Sequence, residues 1–147
     1  MPAGSTYCIA EGMLRGPLQN VCSADAMGGN YVAFDIGNQF LHPNHPLGWI
    51  RKLEVEIDGE AASAAGSFFV LRRQWFLLSH LRTITDVWWH MGETATLHLS
   101  RPPVAPGPHF VACRFFVSLF VNTPQIDLDD LWPSLTQDVC AELSCAA

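Results

Sequence analysis

Thr83-Ile84-Thr85-Asp86-Val87-Trp88-Trp89-His90-Met91-Gly92-Glu93-Thr94-Ala95-Thr96-Leu97-His98-Leu99 is the stretch that decides the fold class. Its second half alternates: Ala95, Leu97 and Leu99 share one side, and Thr94, Thr96 and His98 the other. That two-residue period belongs to a half-buried strand. In the first half, Val87 to His90 places Trp88 and Trp89 on opposite faces if it too is extended. Met91-Gly92-Glu93 then reads as the turn of a hairpin, with Gly92 taking any positive φ.

The same alternation recurs on both sides of this stretch. After the Gly28-Gly29-Asn30 turn, Val32, Phe34 and Ile36 oppose Ala33 and Asp35. Leu53, Val55 and Ile57 oppose Lys52, Glu54 and Glu56, and Asp58-Gly59 supplies hairpin-turn chemistry. Ala61 to Gly66 reads as a small-residue connector before a strand from Phe68 to Leu71. The spacing of Trp75, Leu77, Leu78 and Leu81 predicts one short internal helix. Pro106-Gly107 ends a proline-rich loop and opens a long strand from His109 to Val121.

That long strand is apolar on both faces. Val111, Cys113, Phe115, Val117, Leu119 and Val121 make a core face, while Phe110, Ala112, Arg114, Phe116, Ser118 and Phe120 make the other. The second face requires a cover, either the C-terminal segment or another subunit. A short C-terminal helix, capped by Ser134 and running to Leu143, is expected. The fold expected is thus an all-β antiparallel β-sandwich in a single domain over residues 1–147. Its core lies at about 7–124, followed by a C-terminal extension at 125–147.

Composition limits the function. The chain is 49% hydrophobic and only 15% charged, so apolar surface is in excess and a subunit interface is expected. A net charge of −6 and a single lysine, Lys52, exclude a nucleic-acid surface. Five cysteines without a Cys-x-x-Cys pair read as buried reduced thiols of a cytoplasmic protein. No secretory signal or membrane span is expected, since the longest apolar run carries Arg114.

Catalytic equipment is not visible. There is no Gly-x-Ser-x-Gly elbow and no phosphate loop. His42 and His45, with Asn44 between them, lie in a Pro-rich loop without an acidic third ligand, so no metal site is expected there. Asp86 and Glu93 read as a strand-approach residue and a turn residue rather than a carboxylate pair. Trp49, Trp88, Trp89 and Trp132 could stack on sugars as an independent carbohydrate-binding module. Tryptophan is also enriched among interface anchors, and core or interface is the preferred reading.

The order of motifs resembles the small β subunit of bacterial C-glycoside deglycosidases. The resemblance is carried by Asn30-Tyr31-Val32-Ala33-Phe34-Asp35, Glu54-Val55-Glu56-Ile57-Asp58-Gly59-Glu60, Asp86-Val87-Trp88-Trp89, Gly92-Glu93-Thr94-Ala95 and Pro106-Gly107-Pro108-His109. It spans about Tyr7 to Pro124. It implies a β-sandwich subunit, without catalytic residues or cofactor of its own, bound to a TIM-barrel α subunit that holds a divalent metal, usually Mn²⁺. The complex would act as a lyase on the C–C bond between a 3-oxo-sugar and an aromatic, flavonoid-type aglycone. Where the family tends to carry a Tyr-Arg-Gly-like segment, this chain has Leu41-His42-Pro43-Asn44-His45-Pro46. His42, Asn44 and His45 are the expected substrate-proximal loop. Phe110, Arg114, Phe116, Phe120 and Trp88 are the expected partner interface.

Overall fold

The structure is a computed structural model and describes residues 13–23, 29–38, 45–84, 86–117 and 135–146. The strands are β1 (Leu14–Ser23), β2 (Gly29–Gly37), β3 (His45–Pro46), β4 (Ile50–Ile57), β5 (Glu60–Ala61) and β6 (Ser63–Leu71). They continue with β7 (Gln74–Leu77), β8 (Trp88–Trp89), β9 (Thr94–Ser100), β10 (Gly107–Val117) and β11 (Leu135–Cys145). Nine of them form one continuous sheet in the order β5-β4-β10-β11-β1-β2-β9-β6-β7, and β3 pairs with β8 separately.

This sheet folds over on β1. On one flank β1 runs antiparallel to β2; on the other it meets β11 in parallel, with Leu18 opposite Cys145. The β1–β2 register slips between Arg15 and Gln19, the interval that holds Pro17. A residue with no N–H is tolerated at such an interruption. The two halves then face each other across one core. β4, β10 and β11 contribute Leu53, Val55, Ile57, Val111, Phe115 and Val139, while β2, β9 and β6 contribute Val32, Phe34, Ile36, Leu97, Leu99 and Phe69. The all-β sandwich-like fold is as expected, and the alternation of β4 and β9 survives as alternating burial, whereas β2 is buried on both faces from Tyr31 to Phe34, Ala33 included.

Four local expectations fail. The connector expected over Ala61 to Gly66 is mostly strand, in β5 and the first half of β6, so β6 begins at Ser63 rather than Phe68. The helix expected over Trp75 to Leu81 is instead β7 followed by a 3-10 turn at Leu78–Thr83. Leu78 and Leu81 are buried by that turn, so the apolar spacing was real but only half of it is helical. The C-terminal helix is absent: residues 135–145 form β11, paired to β10 along its full length from Val117↔Leu135 to Gly107↔Cys145. Finally, Trp88–Trp89 and β9 do not form a hairpin. β8 pairs with His45–Pro46, and β9 lies between β2 and β6.

Side chains tie the loops to this frame. Asn20 acts as a piece of strand: its Nδ2 donates to the Val104 carbonyl and its Oδ1 accepts the Val104 N–H, both at 2.9 Å. This double bond fixes the proline-rich loop 101–106. His109 fastens the end of the same loop, with Nδ1 2.6 Å from Asp58 Oδ2 and Nε2 2.6 Å from the Ala105 carbonyl. Both nitrogens face acceptors, so the imidazolium satisfies the geometry best. Buried Arg51 donates through Nη1 to the carbonyls of Gly48 and Arg82, joining the 3-10 turn at Leu47–Trp49 to the one at Leu78–Thr83. Gly48 itself lies against the chain, and a Cβ there would stand 2.8 Å from the Ile84 carbonyl oxygen.

Gly48→Ala should therefore destabilise the protein by about 1–3 kcal/mol, because backbone rather than a flexible side chain must yield. Urea denaturation checks this. A pH dependence follows from the clamp. The hydrogen bond to Asp58 and that to Ala105 raise the His109 pKa above its usual 6.5. Its contribution is complete below about 6.5 and is lost as pH rises through the higher folded-state value. The His109 and Phe110 hydrogen bonds lower the Asp58 pKa below 3.8, so its contribution is lost only as pH falls through that still lower value. Wild-type melting temperature should fall above neutral pH relative to His109→Gln, and the two profiles should run parallel if the clamp contributes nothing.

Candidate functional site

The functional features gather at one end of the sandwich, around Trp89. Trp89 is fully buried and packs edge-on against Phe69 with ring centroids 5.1 Å apart. Its indole Nε1 donates to the Glu93 carbonyl at 3.1 Å, and its own carbonyl accepts from Asn38 Nδ2 at 2.9 Å. The Asn38 N–H donates to that same Glu93 carbonyl. Buried Asn38, at the end of β2, thus holds the 90–93 turn closed, with Gly92 at φ 83 supplying its left-handed corner.

The Glu93 side chain completes the arrangement. Its Oε1 accepts from Arg72 Nη1 at 2.6 Å and from the His90 N–H at 2.8 Å, while Arg72 Nη2 donates to the Trp88 carbonyl at 2.8 Å. Partial burial alone would raise the Glu93 pKa. The hydrogen bonds from Arg72 and His90 outweigh it, and the carboxyl is held below the usual range. A carboxylate so held is not poised to exchange protons near neutral pH. Asp86 is exposed and forms no pair with it. Sequence reading missed the Arg72 partnership, because twenty-one positions separate Arg72 from Glu93 and only the β6–β7 turn brings them together.

Of the four tryptophans considered for stacking, Trp89 is buried, Trp49 is half-buried against the core, and Trp88 is 43% exposed. Trp132 lies outside the described residues. Trp88 and Trp89 do face opposite ways, as the alternation requires, but the described indoles make no shared platform.

Of the substrate-proximal loop, His42 and Asn44 lie outside the described residues, and His45 is placed by its backbone opposite Trp89. The loop therefore returns to the fold beside Trp88 and Trp89. On the outer face of β10, Phe110 is 52% exposed, Phe116 is half-buried with Lys52 Nζ 5.6 Å above its ring, and Phe120 lies outside the described residues. Arg114 forms a two-pronged ion pair with Asp138 of β11, Nε to Oδ1 at 2.7 Å and Nη2 to Oδ2 at 2.8 Å. Residues 135–145, the described strand of the C-terminal segment, lie beside β10 rather than over it.

Cys113 is buried in the core, and burial pushes its thiol far above the usual range. It is a packing residue without thiolate character. Cys145 is buried too, whereas Cys140 is exposed on β11, against the expectation of uniformly buried thiols. Among the described residues no three His, Cys, Asp or Glu side chains converge as metal ligands, and no helix is long and apolar enough to cross a membrane. A cleft of about 670 Å³ lies along β4 and the second 3-10 turn, lined by Leu53, Val55, Ala62 and Leu78 together with the polar Lys52, Glu54, Glu56, Ser79 and Arg82.

The family model for the C-glycoside deglycosidase beta subunit matches residues 17–119, more than half of the chain. The chain belongs to that family. The matched span contains the Trp89–Glu93 arrangement, Arg72 and β10 to its described end at Val117, and it stops short of β11. No curated protein sequence matches the chain. Family membership makes this chain a beta subunit and implies a second subunit as partner.

Proposed function

We propose that the chain acts in the cytoplasm as the accessory subunit of a complex that cleaves the C–C bond joining a 3-oxo-sugar to an aromatic aglycone. The catalytic partner in this reading is a TIM-barrel α subunit that carries a divalent metal, Mn²⁺ by preference. Deprotonation beside the sugar ketone there lets the aglycone leave by elimination.

The observation that carries this division of labour is the state of the reactive groups at the Trp89 end. Glu93 is committed to Arg72 and His90, and the described residues offer no converging metal donors. A group pinned in an ion pair and a buried protonated thiol at Cys113 support a scaffold rather than a reaction centre. The loop around His42 and His45 is assigned to the substrate side of the complex, because its β3 end is anchored beside Trp88.

The purified chain should show no C–C cleavage of an oxidised C-glycoside, and co-expression with a TIM-barrel α subunit should give activity that depends on Mn²⁺. A chain that cleaves alone, or that never co-purifies with such a subunit, would refute the reading. Within the active complex, His42→Ala with His45→Ala should lower kcat/KM about tenfold, a loss near 1.4 kcal/mol. Unchanged steady-state kinetics would remove the loop from the substrate side.

A further inference from the structure

Arg72 and Arg73 form the two-residue turn between β6 and β7, with φ of 49° and 70°. Turns of this type favour Asn and Gly, because a side chain in the left-handed region crowds its own carbonyl. Two consecutive arginines there are strained. Arg72 has a return within the chain, in Glu93 and the Trp88 carbonyl. Arg73 does not: it makes no hydrogen bond or ion pair with any described residue, and it is exposed. Strain that the chain itself does not use points outward.

What lies beside this turn is apolar and rigid. Trp88, whose carbonyl receives the Arg72 guanidinium, is 43% exposed, and Met91 is 61% exposed. Both flank a segment held by the β3–β8 pairing, by Arg72 and by the Glu93 turn, so ordering them costs a partner little entropy. Arg, Trp and Met are the residue types enriched at interface centres. Of the other exposed aromatics among the described residues, Trp75 packs 4.5 Å from His98 and 5.3 Å from Phe68, and Phe110 lies on β10, whose one arginine, Arg114, is already paired with Asp138. Charge sets this edge apart as well. The whole chain carries −6, yet at this turn Arg72 pairs with Glu93 and Arg73 has no ion pair among the described residues.

We propose that the edge made by Arg73, Trp88 and Met91 is where the catalytic subunit docks, Arg73 receiving a carboxylate set in an apolar surround on that subunit. The proposal rests on the beta-subunit reading above. Its distinguishing test is the Arg73→Gly variant, since glycine accepts φ 70° without strain. The isolated chain should melt higher than wild type, while its Kd for the purified α subunit should rise about tenfold. Arg73→Glu and Trp88→Ala should raise it further, and the wild-type Kd should weaken with salt. If wild type binds and all three variants bind equally well, the docking edge is elsewhere and the beta-subunit reading stands. If wild type does not bind, that reading falls and this proposal with it. A melting temperature lowered by Arg73→Gly would overturn the argument from strain, and variants that alter only self-association would assign the edge to a second copy of the chain.

Discussion

One strand has to belong to two sheets, and the rest of the molecule depends on that constraint. β1 lies antiparallel to β2 on one side and parallel to β11 on the other, so both halves of the sandwich hang from it. Its β2 edge is paired on both sides of the slip, and its other edge meets β11 at Leu18 opposite Cys145. The register slip around Pro17 lets one strand turn from one half to the other while Leu14 and Leu18 stay in the core.

With the two halves fixed, polar contacts among the described residues close around the Trp89 end of the sandwich. Trp89 fills that end, Asn38 and the Glu93 carbonyl satisfy the groups its burial would otherwise orphan, and Arg72 ties the Glu93 carboxylate to the Trp88 carbonyl. Each member answers another: the Glu93 carbonyl takes two N–H groups while its carboxylate takes Arg72 and His90. A network satisfied to this degree rigidifies its surroundings. It also holds the Glu93 carboxylate in its ionised form, away from acid–base work near neutral pH.

Local periodicity made much of this legible in the sequence. β4 is legible because one face meets the core and the other meets water, β9 because its second face is only half-buried, and β2 by residue type alone, since its Ala33 is buried as well; the Asp58-Gly59 turn is equally plain. β11 was misread because Val139 and Leu143 are four apart, which satisfies a helix and a strand equally well, and Ser134 offered a cap. Pairing to β10 decided the matter. β1 was missed because Gly16-Pro17 and its polar residues conceal the alternation. At the Trp89 end, Trp88, Glu93 and the 42–45 loop drew notice, whereas the partners that define them did not. Arg72 and Asn38 are brought in by strand pairing between distant segments, and a one-dimensional pattern carries no trace of that.

The position of β11 also bears on how the chain acquires its structure. This strand sits in the middle of the sheet, between β10 and β1, although it comes after every other described strand in the chain and lies beyond the span shared with the family. Leu18 and Cys145 meet across nearly the whole chain. Such non-local closure is slow, since the entropy of a long loop must be lost before its contacts form. Until β11 arrives, β10 and β1 present bare edges suited to pairing with other chains. The nascent subunit therefore has a window in which aggregation competes with folding, and its length is set by how soon residues 135–145 leave the ribosome.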